Sequence, residues 1–181
     1  MKRLVLDIGC GNTPKGDVNC DLYRHETPHL MGDEKNQSFN KKIPNFVLCD
    51  VTYLPFCDNS FDIVNASQVL EHVLNPCLVL KEMRRCSKRI VTLDVPNLRR
   101  LTAEQNPFHI YSWSDKTLCS LLKNFFESVI IVGAEYGSYM PRKLLKKRGL
   151  GFFLEVIENL MYRIFGPPFI KAVCNVSKDE D

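Results

Sequence analysis

The sequence predicts an open α/β sheet with mostly parallel strands, and three observations carry that prediction. Short runs that are apolar at nearly every position suit strands buried on both faces. Amphipathic stretches lie between several of these runs, as helices do in a sheet built from crossovers. Glycine or an acid closes several runs, at the strand ends where such sheets bind ligands.

The first run is Leu4-Val5-Leu6-Asp7-Ile8, stopped by Gly9-Cys10-Gly11. Val18-Asn19-Cys20-Asp21 is a shorter second run. Asn45 to Asp50, Phe61 to Ser67, Arg89 to Val95, Ser128 to Val132 and Phe169 to Val176 follow. Asn75-Pro76 sets an N-cap before a proline at the first helical position, so a helix is predicted to start there. Leu78, Val79, Met83 and Cys86 mark its apolar face, and Lys81, Glu82, Arg84, Arg85 and Lys88 are expected to face water. Ser114 caps a second helix that carries Leu118, Leu121, Leu122 and Phe125. A third is predicted from about Phe152 to Phe165, stopped by Gly166-Pro167-Pro168.

A chain of 181 residues is the size of one domain, read here as 1–181. With 45% hydrophobic and 25% charged residues it has the composition of an ordinary globular protein. No run reaches the ~18–20 apolar residues of a membrane span. Met1-Lys2-Arg3-Leu4-Val5-Leu6-Asp7 meets an acid too soon for a signal peptide. A net charge of +3 does not call for a nucleic-acid partner. The eight cysteines show no CxxC spacing, so they are expected to be reduced thiols of a cytoplasmic protein, with no metal held by them.

The strand ends hold the chemistry. Gly9 and Gly11 let the backbone turn sharply and come close to a ligand. The third glycine of a dinucleotide fingerprint is missing, since Pro14 holds its place. Asp21 closes the second run, and a carboxylate there can accept from both hydroxyls of a ribose. Asp50 closes the third, before Val51-Thr52-Tyr53-Leu54-Pro55-Phe56. An acid beside apolar side chains suits an adenine ring, with the acid accepting from its amine.

Leu6-Asp7-Ile8-Gly9-Cys10-Gly11, Asp50 with Leu54-Pro55-Phe56, Asp58 through Val64, and Leu70-Glu71-His72-Val73 together resemble the class I S-adenosylmethionine-dependent methyltransferases. The likeness is to the branch that methylates quinones, lipids, sugars and other small molecules. Pro107 to Ser114, with the helix after it, resembles the substrate-side segment of that branch. The resemblance covers roughly residues 4–135 and implies a Rossmann-like, seven-stranded sheet with one antiparallel strand near its edge. It implies S-adenosylmethionine as cofactor, with contacts at Gly9, Gly11, Asp21, Asp50, Val51 and Ser67. Asp7 would be the motif acid near the methionine end.

One departure stands out. Only residues 12–20 separate Gly11 from Asp21, and a parallel crossover with its helix needs at least ~10–12 residues. The first helix must be reduced to a turn or lost, which removes the N–H groups a helix start would offer an anion. The polar segment from Leu22 to Lys42 reads either as a surface loop or as a partial replacement that closes over the site.

Methyl transfer from a sulfonium needs the nucleophile held in line, and a base only if a proton must leave. His72 and His109 are the candidate bases, each with a structural reading beside it: a turn-capping residue for His72, a packing residue among Tyr111 and Trp113 for His109. Arg142, Lys143, Lys146, Lys147 and Arg148 precede the apolar third helix. The stretch 142–165 reads either as a peripheral membrane contact for a lipid-like acceptor or as a packed helix behind a solvated loop. The expected activity is methyl transfer to a small-molecule or lipid-like acceptor. The rivals are a non-catalytic methyltransferase-like partner subunit and a nicotinamide-dependent Rossmann oxidoreductase.

Overall fold

The computed structural model describes residues 3–23, 43–98, 108–134 and 169–176. They form strands β1 (Val5–Ile8), β2 (Val18–Asp21), β3 (Phe46–Leu48), β4 (Phe61–Ser67), β5 (Ser87–Pro96), β6 (Ser128–Ala134) and β7 (Phe169–Asn175), with helices α1 (Pro76–Cys86) and α2 (Asp115–Leu122). All strands join one sheet in the order β3-β2-β1-β4-β5-β7-β6. The pairs β3–β2, β2–β1, β1–β4 and β4–β5 are parallel, and β7 runs antiparallel to both β5 and β6. This is the mostly parallel, seven-stranded α/β sheet expected. The predicted third helix, most of the 22–42 segment and the 142–165 stretch lie outside the described residues.

The apolar runs become strands because both sheet faces are covered. Leu6, Ile8, Val64, Val91, Ile170, Ala172 and Cys174 have no exposed surface. Val79, Leu80, Met83 and Cys86 seal α1 against that core, and Leu118 and Leu122 do the same for α2. Asn75 caps α1 with Pro76 just inside, as its sequence foretells. Ser114 caps α2 in a reciprocal pair with Thr117.

Three readings of α1 need correction. Lys88 is not on the helix: Ser87 turns to extended backbone and β5 begins there, with no loop between. Leu78 is exposed, and Leu80 takes its place in the core. Glu82 and Arg85 do not simply face water. Arg85 donates to Glu82, Asp58, and the carbonyls of Leu54 and Phe56, while Glu82 accepts the Leu54 N–H. The pair ties the turn after β3 to α1.

Candidate functional site

The carboxyl ends of β1, β2, β3 and β4 share one edge of the sheet. Residues 9–17 connect β1 to β2 without a helix, as the short spacing requires. Side chains hold this loop in place of a helix. Asp7, buried within β1, accepts the Lys15 N–H at 2.8 Å and the Asn65 side-chain amide at 2.6 Å. Burial raises the Asp7 carboxyl above its ordinary range, and both of those bonds pull it back. Asp17 accepts the Val5 N–H at 3.1 Å, and Asn19 accepts from Gly16 at 2.9 Å.

Gly9 and Gly11 both sit in the left-handed region, at φ +60° and +50°. They differ in surroundings. A Cβ on Gly9 would lie 2.5 Å from Val69 Cγ2, whereas one on Gly11 would meet nothing within 4 Å. Backbone is therefore exposed at Gly11 to whatever occupies that space. The Gly11 N–H donates to Asp21 Oδ2 at 2.9 Å, and Asp21 Oδ1 accepts from Tyr23 at 3.2 Å. The loop and the end of β2 are thus fastened to each other, and each carboxylate oxygen keeps a second acceptor position.

Asp50 is exposed past β3, and its Oδ1 accepts both the N–H and the hydroxyl of Thr52. Val51 and Leu54 beside it are buried, and Phe56 is partly so. The Arg85–Glu82 tether fixes this apolar turn; a salt bridge in an amphipathic pattern reads as solvated, so the sequence hid it. Beneath the same edge the Cys20 and Cys49 thiols influence each other, which raises Cys20 and lowers Cys49. All eight cysteines are free thiols.

At the end of β4, Ser67 and Gln68 both donate to Asp94 Oδ2, at 3.1 and 2.8 Å. Gln68 adopts φ +56°, which turns the chain off the strand. The Lys15 ammonium lies 3.5 Å from Ser67 Oγ. A cation therefore stands at this edge on the loop that lacks a helix.

His72 and His109 come together. Their rings meet edge-on at 4.8 Å between centroids. His72 Nδ1 is 3.1 Å from the Phe108 carbonyl, which can only accept, so that nitrogen carries the proton. The Glu71 carbonyl accepts the N–H groups of Ile110 and Tyr111, and the Tyr111 hydroxyl donates to Leu74. These bonds sew the substrate-side segment to the turn after β4. Glu71 has no exposed surface, and neither carboxylate oxygen has a hydrogen-bond partner among the described residues. Burial pushes its carboxyl up to about 8 against the pull of its own backbone N–H, and the charge of Asp94 acts with burial. Glu71, His72 and His109 each offer a ligand atom within 4.8 Å of the other two. Glu71 was not among the sequence-derived candidates, because a Glu-His pair after a strand gives no sign that the acid is buried.

Among the described residues no helix is long and apolar enough to cross a membrane. Residues 6–91 match the methyltransferase domain family. An uncharacterized methyltransferase of Schizosaccharomyces pombe is 34% identical over 99 residues, 46% of this chain and 36% of that protein. The demethylmenaquinone methyltransferase of Thermotoga maritima is 30% identical over 122 residues, 60% of this chain and 52% of that protein. The matches therefore span about half or less of these relatives' length. Among solved structures, an S-adenosylmethionine-dependent methyltransferase of Thermotoga maritima superposes with a TM-score of 0.66 at 12% identity, covering 98% of this chain and 84% of that one. At such identity the likeness speaks for the fold.

Proposed function

We propose that the chain is a class I S-adenosylmethionine-dependent methyltransferase that transfers a methyl group to a small-molecule or lipid-like acceptor, working as one domain over 1–181. The observation that carries the reading is the open backbone at Gly11, whose amide is bound to the acid that ends β2. A ligand with a ribose would meet bare main chain and a carboxylate oriented by two amides. The demethylmenaquinone relative supports an apolar acceptor, as does the stacked Tyr111–Trp113 pair, with centroids 5.7 Å apart.

The cofactor fits these residues. Asp21 would accept from the ribose hydroxyls. Asp50 would accept from the adenine amine, with Val51 and its apolar neighbours against the ring. Gly9, Gly11 and Ser67 would line the path between. Asp7 would act through the loop it holds, keeping Lys15 at the methionine end. There the Lys15 ammonium supplies the positive charge that a helix start offers elsewhere. When bound, the sulfonium supplies an already activated methyl group. The chain's own task is to hold the acceptor in line and shut out water. His109, with His72 against it, is the candidate base for an acceptor that must lose a proton.

Mass spectrometry of a cell extract incubated with the full chain and a deuterated methyl donor tests the proposal. A labelled product is expected; none, with S-adenosylhomocysteine still bound, would favour the non-catalytic partner subunit that the lost helix suggests. Calorimetry should rank S-adenosylhomocysteine affinity as wild type, then Asp50→Asn, then Asp50→Ala, since the amide keeps an acceptor and loses the charge. Tighter binding of a nicotinamide dinucleotide would instead support the oxidoreductase reading.

A further inference from the structure

We propose that Glu71, His72 and His109 form a binding site for a divalent transition-metal cation. The three residues offer one carboxylate oxygen and two imidazole nitrogens, all within 4.8 Å of one another. A tetrahedral cation with bonds of ~2.0–2.2 Å holds its ligand atoms about 3.3–3.6 Å apart, so side-chain shifts of up to about 1.5 Å close the set.

Two further observations point to a ligand. Glu71 is fully buried, yet both of its oxygens lack a hydrogen-bond partner among the described residues. Buried polar groups are nearly always satisfied, and an acid left without a partner beside two imidazoles is matched by a cation. The second observation is the orientation of His72. Its Nδ1–H donates to the Phe108 carbonyl, which leaves the lone pair on Nε2. A backbone carbonyl on the far ring nitrogen is how proteins fix the tautomer and direction of a metal-binding histidine.

The ligand chemistry narrows the cation. Two imidazoles and one carboxylate suit zinc, iron(II), cobalt(II) or nickel better than magnesium or calcium, which prefer oxygen throughout. Three protein ligands leave coordination positions open for water or another molecule. Resting on the proposed methyl transfer, an acceptor oxygen in such a position would lose its proton more readily, and the imidazoles would then serve as ligands and not as a base.

The test is a titration of the metal-free full chain with Co²⁺, followed by visible absorption, with neither methyl donor nor acceptor present. One equivalent should bind and give ligand-field bands of nitrogen and oxygen coordination, without the intense near-ultraviolet bands of cobalt thiolate. Glu71→Gln and His109→Ala should each weaken binding by more than the ~10–100-fold that loss of a supporting residue costs. Circular dichroism checks their folds; His109 is part-exposed, so its variant keeps the test decisive if the Glu71 variant does not fold. Binding unchanged in His109→Ala, thiolate bands, or no binding to the wild type would each overturn the site. S-adenosylhomocysteine affinity, measured separately, reports on the methyltransferase reading and leaves this result untouched.

Discussion

Two acids are buried at the same edge of the sheet, and the protein treats them in opposite ways. Asp7 receives a bond on each oxygen, from Lys15 and Asn65. Glu71 receives none among the described residues. The first acid has its partners within the fold, and the loop from β1 to β2 depends on it. The second is enclosed by the turn after β4 and the segment from Phe108 to Trp113, which bond to each other through the Glu71 main chain and not its side chain. A buried acid with every bond made is a structural fastening; one with none among the described residues is kept at a cost to stability.

Asp7→Ala is the strongest way to break this contrast. It strands the Lys15 amide and the Asn65 side chain, and denaturant unfolding should show a loss of roughly 3 kcal/mol. If the loss is below ~1 kcal/mol, Asp7 does not hold the loop. The two glycines come next, because Gly9 is where the two regions touch. Gly9→Ala drives a methyl into the stiff Val69 side chain and should cost roughly 2–3 kcal/mol. Gly11→Ala meets no protein atom and should cost only about 1–2 kcal/mol from its left-handed backbone, while weakening S-adenosylhomocysteine binding more than Gly9→Ala does relative to stability. Equal unfolding costs would mean that the space at Gly11 is not open.

Glu71→Met should move stability the other way. Removing an unsatisfied buried acid is expected to raise the unfolding free energy of the metal-free chain by about 1–2 kcal/mol. Added Co²⁺ should stabilise the wild type alone and shrink or reverse the gap. A Met variant less stable than the metal-free wild type would show that Glu71 has partners within the fold. The smallest effect is that of Tyr111→Phe, which removes the bond to Leu74 and should cost ~0.5–1.5 kcal/mol in thermal unfolding.

The same contrast explains what could be read from the sequence. Strands buried on both faces show as unbroken apolar runs, and Asn75-Pro76 and Ser114 announce their helices through local capping chemistry. The glycines and acids closing β1, β2 and β3 are legible because a strand end is a local event. The missing first helix follows from chain length alone. Glu71 beside His109 could not be read this way, since the pair exists only after residues far apart in sequence share a seam. The Arg85 tether was hidden for a related reason: a charged residue on a helix reads as solvated unless its partners across the fold are known.

The position of β7 governs how this protein can be made. β7 is the last of the described strands in sequence but lies between β5 and β6, and among the described residues those two pair only through it. A ribosome that has delivered everything up to β6 has delivered a sheet with a gap. Until Ile170, Ala172 and Cys174 emerge, the edge of β5 that carries Val91 and Leu93 is unpaired and open to strands of other chains. Completion of the sheet is therefore a late, long-range event in synthesis, and any nascent chain arrested before Phe169 is exposed to aggregation along that edge.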